Sequence, residues 1–216
     1  MLALLPTICL FACAISIAFE AKGQTKLTIK SKLLASLSFV AFAWTLGAWQ
    51  SSYGQLIFIG LLFSLVGDVM LAMKGRSHYF IFGIGAFLLA HLVYTAAFLS
   101  TGFNVAQLPL IRLLVMALLV PLIITGLWLK PHLQGSLRVA VPVYLAAIGV
   151  MLITAWGSMA PQAWIWIISG ASLFAVSDLF VARQRFIKAE IRNRIIGLPM
   201  YYVAQLLLAF SVSLVF

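Results

Sequence analysis

Eight apolar stretches, each close to the length that crosses a bilayer, divide this chain, and only short polar tracts separate them. A spanning helix needs about 20 predominantly apolar residues, and only helices or closed barrels satisfy every backbone hydrogen bond in lipid. The pattern therefore predicts an all-α polytopic membrane protein with spans near Leu2–Phe19, Leu33–Trp49, Gln55–Met73, Tyr79–Leu99, Leu110–Leu129, Val139–Trp156, Ala163–Ala182 and Ile195–Val215. The connections leave no room for a water-soluble unit, so residues 1–216 read as a single integral membrane domain. Composition agrees. Charged residues make up 8% of the 216, against roughly 25% in a soluble domain.

The 14 basic residues outnumber four acids, giving a net charge of +10. Spread over one face, that excess would suggest nucleic acid. Here it sits in tracts between apolar runs, which argues for no nucleic-acid partner and for membrane orientation instead. Lys22, Lys26, Lys30 and Lys32 follow the first run, Lys74 and Arg76 the third, Lys130 and Arg138 flank the fifth connection, and Arg183, Arg185, Lys188, Arg192 and Arg194 follow the seventh run. The intervening connections carry no charge, so every basic residue but Arg112 falls on one side. Because Lys and Arg remain cytoplasmic, an even number of spans places both termini outside the cytoplasm, as expected for a bacterial inner-membrane protein. The first run has no basic residue before it, unlike a signal peptide, and is expected to be a retained helix. Cys9 and Cys13, one helical turn apart within it, read as packing or lipid-facing residues.

Two of the four acids, Asp68 and Asp178, lie inside apolar runs. A charge at the bilayer centre costs at least ~2.5–3.5 kcal/mol, so such residues mark function more often than packing. Asp68 precedes Lys74 by six residues and Asp178 precedes Arg183 by five, which at about 1.5 Å per residue sets both carboxyls at a similar depth below the basic edge. A shift of 110 residues superimposes Gly60, Val66, Asp68 and Ala72 on Gly170, Val176, Asp178 and Ala182, the pattern of a possible parallel four-plus-four repeat. Other polar side chains share these faces. Ser64 lies one turn before Asp68, Ser177 adjoins Asp178, Phe87, His91, Tyr94 and Phe98 form one stripe, and Tyr201, Tyr202 and Gln205 fall together in the last run. Asp68, Asp178 and His91 are too few intramembrane ligands to argue for a required metal, and no cofactor is expected.

At these positions the chain resembles the YhhN/TMEM86 family. Phe63-Ser-Leu-Val-Gly-Asp68 and Ala90-His91-Leu-Val-Tyr94 look like the first half of its pattern. Ser177-Asp178, Arg185-Phe186 and Tyr201-Tyr202-Val-Ala-Gln205 look like the second. The resemblance implies lysoplasmalogenase activity, in which the vinyl ether of a lysophospholipid is hydrolysed to a fatty aldehyde and glycerophosphoethanolamine or glycerophosphocholine. It also implies membrane lipids as surroundings. Such an ether is cleaved by acid: protonation of the alkenyl carbon gives an oxocarbenium ion, water adds, and the hemiacetal collapses.

Burial and a second nearby charge both penalise an ionised carboxyl, so one member of a buried pair keeps a proton while the other is ionised. The expected catalytic pair is thus Asp68 and Asp178, with no assignment of acid and base. Ser64, His91, Tyr94, Ser177, Tyr201, Tyr202 and Gln205 would orient water and substrate, and Lys74, Arg76, Arg183 or Arg185 would meet the phosphate. The absence of GxSxG argues against an acyl-serine lipase. The competing class is a proton-coupled small-molecule or lipid transporter, in which intramembrane aspartates relay protons.

Overall fold

A computed structural model of the protein describes residues 3–73, 77–104 and 108–215. Among these, eight long α-helices follow one another: α1 Leu4–Ala21, α2 Thr25–Thr45, α3 Ser52–Ala72, α4 Ser77–Ser100, α5 Leu108–Leu129, α6 Leu137–Gly157, α7 Trp164–Ala182 and α8 Ile191–Ser211. Seven are long and apolar enough to cross a membrane, and α5 has 22 residues with one charge, Arg112. The chain is thus the all-α polytopic membrane protein that its hydropathy predicts. Side chains sort in the reverse of a water-soluble protein. Phe11, Leu34, Phe82, Ile123, Val139 and Ile165 face outward, while Ser36, Ser64, Asp68, His91, Asp178 and Gln205 are buried inside the bundle. Lipid solvates the first group at no cost, and the polar groups find partners only in the interior. Cys9 and Cys13 are buried, so both pack against neighbouring helices.

Two helices depart from their expected boundaries. α2 begins at Thr25 rather than near residue 33, and α8 at Ile191 rather than near residue 195. Hydropathy ends a span where lysines begin, but a helix continues wherever their long stems can lie along its neighbours. The consequence is that Lys32, which reads as a connecting residue, lies inside α2 and is 2% exposed.

Close helix approach depends on small residues. At Gly60 of α3 a side-chain carbon would overlap the ring of Tyr94 on α4, a tyrosine that is fully buried. At Gly67 it would come within 2.7 Å of Phe87. We expect Gly60→Ala to cost about 1–3 kcal/mol through overpacking, read as a lowered Tm in detergent; an unchanged Tm would mean that α3 and α4 can separate freely.

α7 ends in a π-turn over Arg183–Ile187, and Asp68 and Asp178 each lie four residues before the last residue of their helix, Ala72 and Ala182. The ends of α1, α3 and α7 and the starts of α2 and α8 belong to the same, basic face of the bundle, because successive spans alternate in direction. Both carboxyls therefore sit about one turn below that face.

Candidate functional site

The two aspartates line one small cavity, together with Lys32, Ser177, Asn193, Arg194 and Tyr201. Asp68 is held on three sides. Lys32 Nζ lies 2.8 Å from Oδ1, Ser36 Oγ donates to Oδ2 at 2.8 Å, and the Tyr202 hydroxyl also donates to Oδ2. The ion pair is almost fully enclosed, its side chains 3% and 4% exposed. Lysine, serine and tyrosine donors thus converge on the two oxygens of Asp68, the surroundings that suit an acceptor-only carboxylate. Oδ1 accepts one hydrogen bond and retains acceptor capacity toward the cavity.

Asp178 has a different setting. Tyr144 OH donates to its Oδ2 at 2.9 Å, and His91 Nε2 lies 3.3 Å from the same oxygen. That approach is within ion-pair distance but lacks hydrogen-bond geometry, and Nε2 is buried without a hydrogen-bond partner among the described residues. The other ring nitrogen, Nδ1, lies 2.6 Å from the carbonyl oxygen of Phe87. A carbonyl only accepts, so Nδ1 carries hydrogen. In a neutral His91 ring, Nε2 is then the nitrogen with the lone pair, and it is the one on the Asp178 side. The ring is clamped by Phe174, stacked at 4.4 Å, and by Tyr144, edge-on at 5.2 Å.

The partner helices follow the same four-helix shift as the aspartates. Asp68 on α3 is met from α2 and α8, Asp178 on α7 from α6 and α4. The chemistry on the two sides differs, with a lysine on one and a histidine on the other.

The remaining residues singled out by sequence divide into two sets. Tyr201 lines the cavity and donates to the Ser64 carbonyl at 3.1 Å, and Ser177 lines it while bonding the Phe174 carbonyl at 2.7 Å. Tyr202 is fully buried and donates to Asp68. Ser64, Tyr94 and Gln205 instead form a separate polar cluster, one turn deeper than the carboxyls. Tyr94 OH donates to Gln205 Oε1 at 2.6 Å, with Ser64 Oγ 3.5 Å away.

Sequence reasoning missed Lys32, Ser36 and Tyr144. A signal existed for the first two: Lys32 and Ser36 are one turn apart at the edge of an apolar run. Tyr144 carried none beyond being a polar residue inside a span.

The expected phosphate ligands are differently employed. Arg183 bonds Asn193 Oδ1 at 2.6 Å and Glu190 at 3.0 Å, and Arg185 lies 4.3 Å over the Phe80 ring. The hydrogen bond from Lys188 to Glu190, with the charge of Arg183, holds the Glu190 carboxyl below its usual range. Lys74 and Arg76 lie outside the described residues, and so does the side chain of Arg112. Among the described residues no group of three His, Cys, Asp or Glu side chains is placed to hold a metal ion.

A second cavity adjoins the first between α4, α5, α6 and α7. It is lined by Phe80, Leu122, Leu129, Leu145, Ile148 and other apolar groups, and also by Tyr144 and Asp178. Asp178 is common to both cavities.

Fold and site together define a polytopic membrane protein with two unequal carboxyl groups in its interior. The YhhN family model matches residues 27–212, and the chain belongs to the YhhN family. It is 35% identical over 173 residues to lysoplasmalogenase TMEM86A of Bos taurus, covering 72% of this chain and 64% of that protein. It is 35% identical over 143 residues to a lysoplasmalogenase of Mycobacterium tuberculosis, covering 66% of this chain and 53% of that protein. It is 33% identical over 182 residues to lysoplasmalogenase TMEM86B of Sus scrofa, covering 84% and 74%. The chain thus spans 64% of the length of its TMEM86A relative and 53% of its mycobacterial one. No solved structure matches.

Proposed function

We propose that this protein is a lysoplasmalogenase, hydrolysing the vinyl ether of a lysophospholipid to a fatty aldehyde and glycerophosphoethanolamine or glycerophosphocholine. The observation that carries the reading is the position of Asp178, at the boundary between the apolar cavity and the polar one. In the substrate the vinyl ether is the boundary between hydrocarbon chain and polar head. A chain lying among Phe80, Leu122 and Ile148 brings that bond to Asp178, with the glycerol directed toward Asp68 and Lys32.

In this reading Asp178, with His91 beside it, delivers a proton to the alkenyl carbon. The electron pair of the double bond takes it up, and positive charge develops on the ether oxygen and its carbon. The Asp178 carboxylate left behind stabilises that charge. Water then adds to the cationic carbon and gives up a proton to Asp68 Oδ1, the oxygen with acceptor capacity to spare. Proton return through the same groups collapses the hemiacetal to aldehyde and alcohol. Tyr144, Tyr202 and Ser36 hold the carboxyls in place, and Tyr201 and Ser177 bound the space for water. The basic face lies toward the cytoplasm of a bacterial inner membrane, with both ends of the chain on the opposite side.

Purified protein in detergent, incubated with alkenyl-glycerophosphoethanolamine and followed by mass spectrometry, is expected to release aldehyde and glycerophosphoethanolamine in equal amounts without any ion gradient. Intact lipid after prolonged incubation would refute the hydrolase reading.

A further inference from the structure

The polar cavity contains a cation that the proposed chemistry leaves unused. Arg194, three residues into α8, lines the cavity that holds both aspartates. Its side chain is 17% exposed, and its Nε donates to Glu20 Oε1 at the end of α1, 3.1 Å away. Among the described residues its two terminal nitrogens have no hydrogen-bond acceptor. Several other cations of the basic face are committed: Lys32 to Asp68, Arg183 to Asn193 and Glu190, Lys188 to Glu190, and Arg185 to the Phe80 ring.

A guanidinium fixed through Nε presents its remaining edge as a planar fork, which matches two oxygens of a phosphate. Glu20 neutralises much of the cost of burying that charge, and its own Oε2 is buried without a partner, so the carboxylate is held for the arginine rather than shared with others. Asn193, the neighbouring wall residue, is itself pinned. Its amide nitrogen donates to Gln184 Oε1 and to the Lys188 carbonyl, both at 2.8 Å. The wall that carries Arg194 is therefore rigid, as a binding site for a compact anion requires.

We propose that Arg194, positioned by Glu20, is the phosphate-binding residue of the cavity, and that it anchors the headgroup phosphodiester of the lysophospholipid. This rests on the lysoplasmalogenase reading. In such a lipid the ether oxygen and the phosphate stand at opposite ends of the three-carbon glycerol. In the protein, the aspartates and Arg194 wall the same small cavity. Arg194 takes no part in proton transfer; it holds the head so that the vinyl ether meets Asp178.

The test compares two substrates, alkenyl-glycerophosphoethanolamine and the phosphate-free 1-alkenylglycerol, on wild type, Arg194→Gln and Arg194→Lys. Losing a charge-assisted fork should raise KM for the phospholipid about 10- to 100-fold in Arg194→Gln with kcat little changed. Cleavage of alkenylglycerol should be unchanged. Arg194→Lys keeps the pair with Glu20, and so the fold if the glutamine variant is unstable, but loses the fork; it should show a smaller KM rise on the phospholipid alone.

Equal effects on both substrates, or none on either, would overturn the subsite. So would inorganic phosphate inhibiting alkenylglycerol cleavage as strongly as glycerophosphoethanolamine does, because the site would then belong to free phosphate. Wild-type protein that releases aldehyde from neither lipid would remove the hydrolase reading, and the subsite with it.

Discussion

Asp178→Asn is expected to yield a folded protein that releases aldehyde about 10²–10⁴-fold more slowly than wild type, the usual worth of a positioned general acid. The carboxamide is nearly isosteric. Its oxygen can accept from Tyr144, as Asp178 Oδ2 does at 2.9 Å, and its NH₂ can donate to the lone pair of His91 Nε2, now without a hydrogen-bond partner. Thermal unfolding should therefore shift little. On the proposed mechanism, what is lost is the proton that Asp178 delivers, and the carboxylate that faces the oxocarbenium ion once that proton has gone. The residue is 9% exposed, so bulk water has little access to replace either. Aldehyde release and Tm measured on the same preparation separate the two effects. Near-wild-type turnover in this variant would exclude Asp178 as the donor and return the role to Asp68.

Much of this arrangement is legible in the sequence, because a membrane makes its demands in simple terms. Runs of about 20 apolar residues mark the helices, basic tracts mark one face, and Asp68 and Asp178 stand out where an ionisable group is most costly. The stripe Phe87, His91, Tyr94 and Phe98 reads as one face at helical spacing, and all four are buried. The identities of the partners are less legible. Lys32 belongs by charge to a topogenic tract and by position to the interior, and hydropathy sees only the first. Tyr144 approaches Asp178 from α6, and nothing local to either residue encodes that pairing, which depends on how α6 and α7 are rotated. Spacing along a helix places Ser64 on the face of Asp68, yet a face is several residues deep. The Tyr94 and Gln205 hydroxyl–amide bond draws Ser64 into a different cluster.

The second large effect concerns the difference between the two carboxyls. Lys32→Met removes the counter-ion of a carboxylate only 4% exposed and should destabilise the protein by about 3–5 kcal/mol, as breaking a buried pair from one side does. Asp68→Asn strands the lysine instead and should cost a similar amount. Ser36 and Tyr202 remain as donors in both cases, but neutral donors do not replace an opposite charge in so dry a site. The double variant, with methionine at 32 and asparagine at 68, contains neither charge. It should recover most of the stability, giving a large favourable coupling in a double-mutant cycle of unfolding in detergent.

Activity is expected to behave otherwise: reduced in Lys32→Met, and absent in both Asp68→Asn and the double variant, since neither of these retains the base that takes the proton from water. If the double variant is no more stable than either single one, the ion pair is not what holds α2 to α3 at this depth. If it is stable and still hydrolyses the ether, Asp68 has only a structural role. Stability and turnover part company in this cycle because Lys32 does two things at once. It makes a buried charge tolerable, and it gives Asp68 a cationic partner where Asp178 has a tyrosine and a histidine, an inequality that two identically placed carboxyls would not possess.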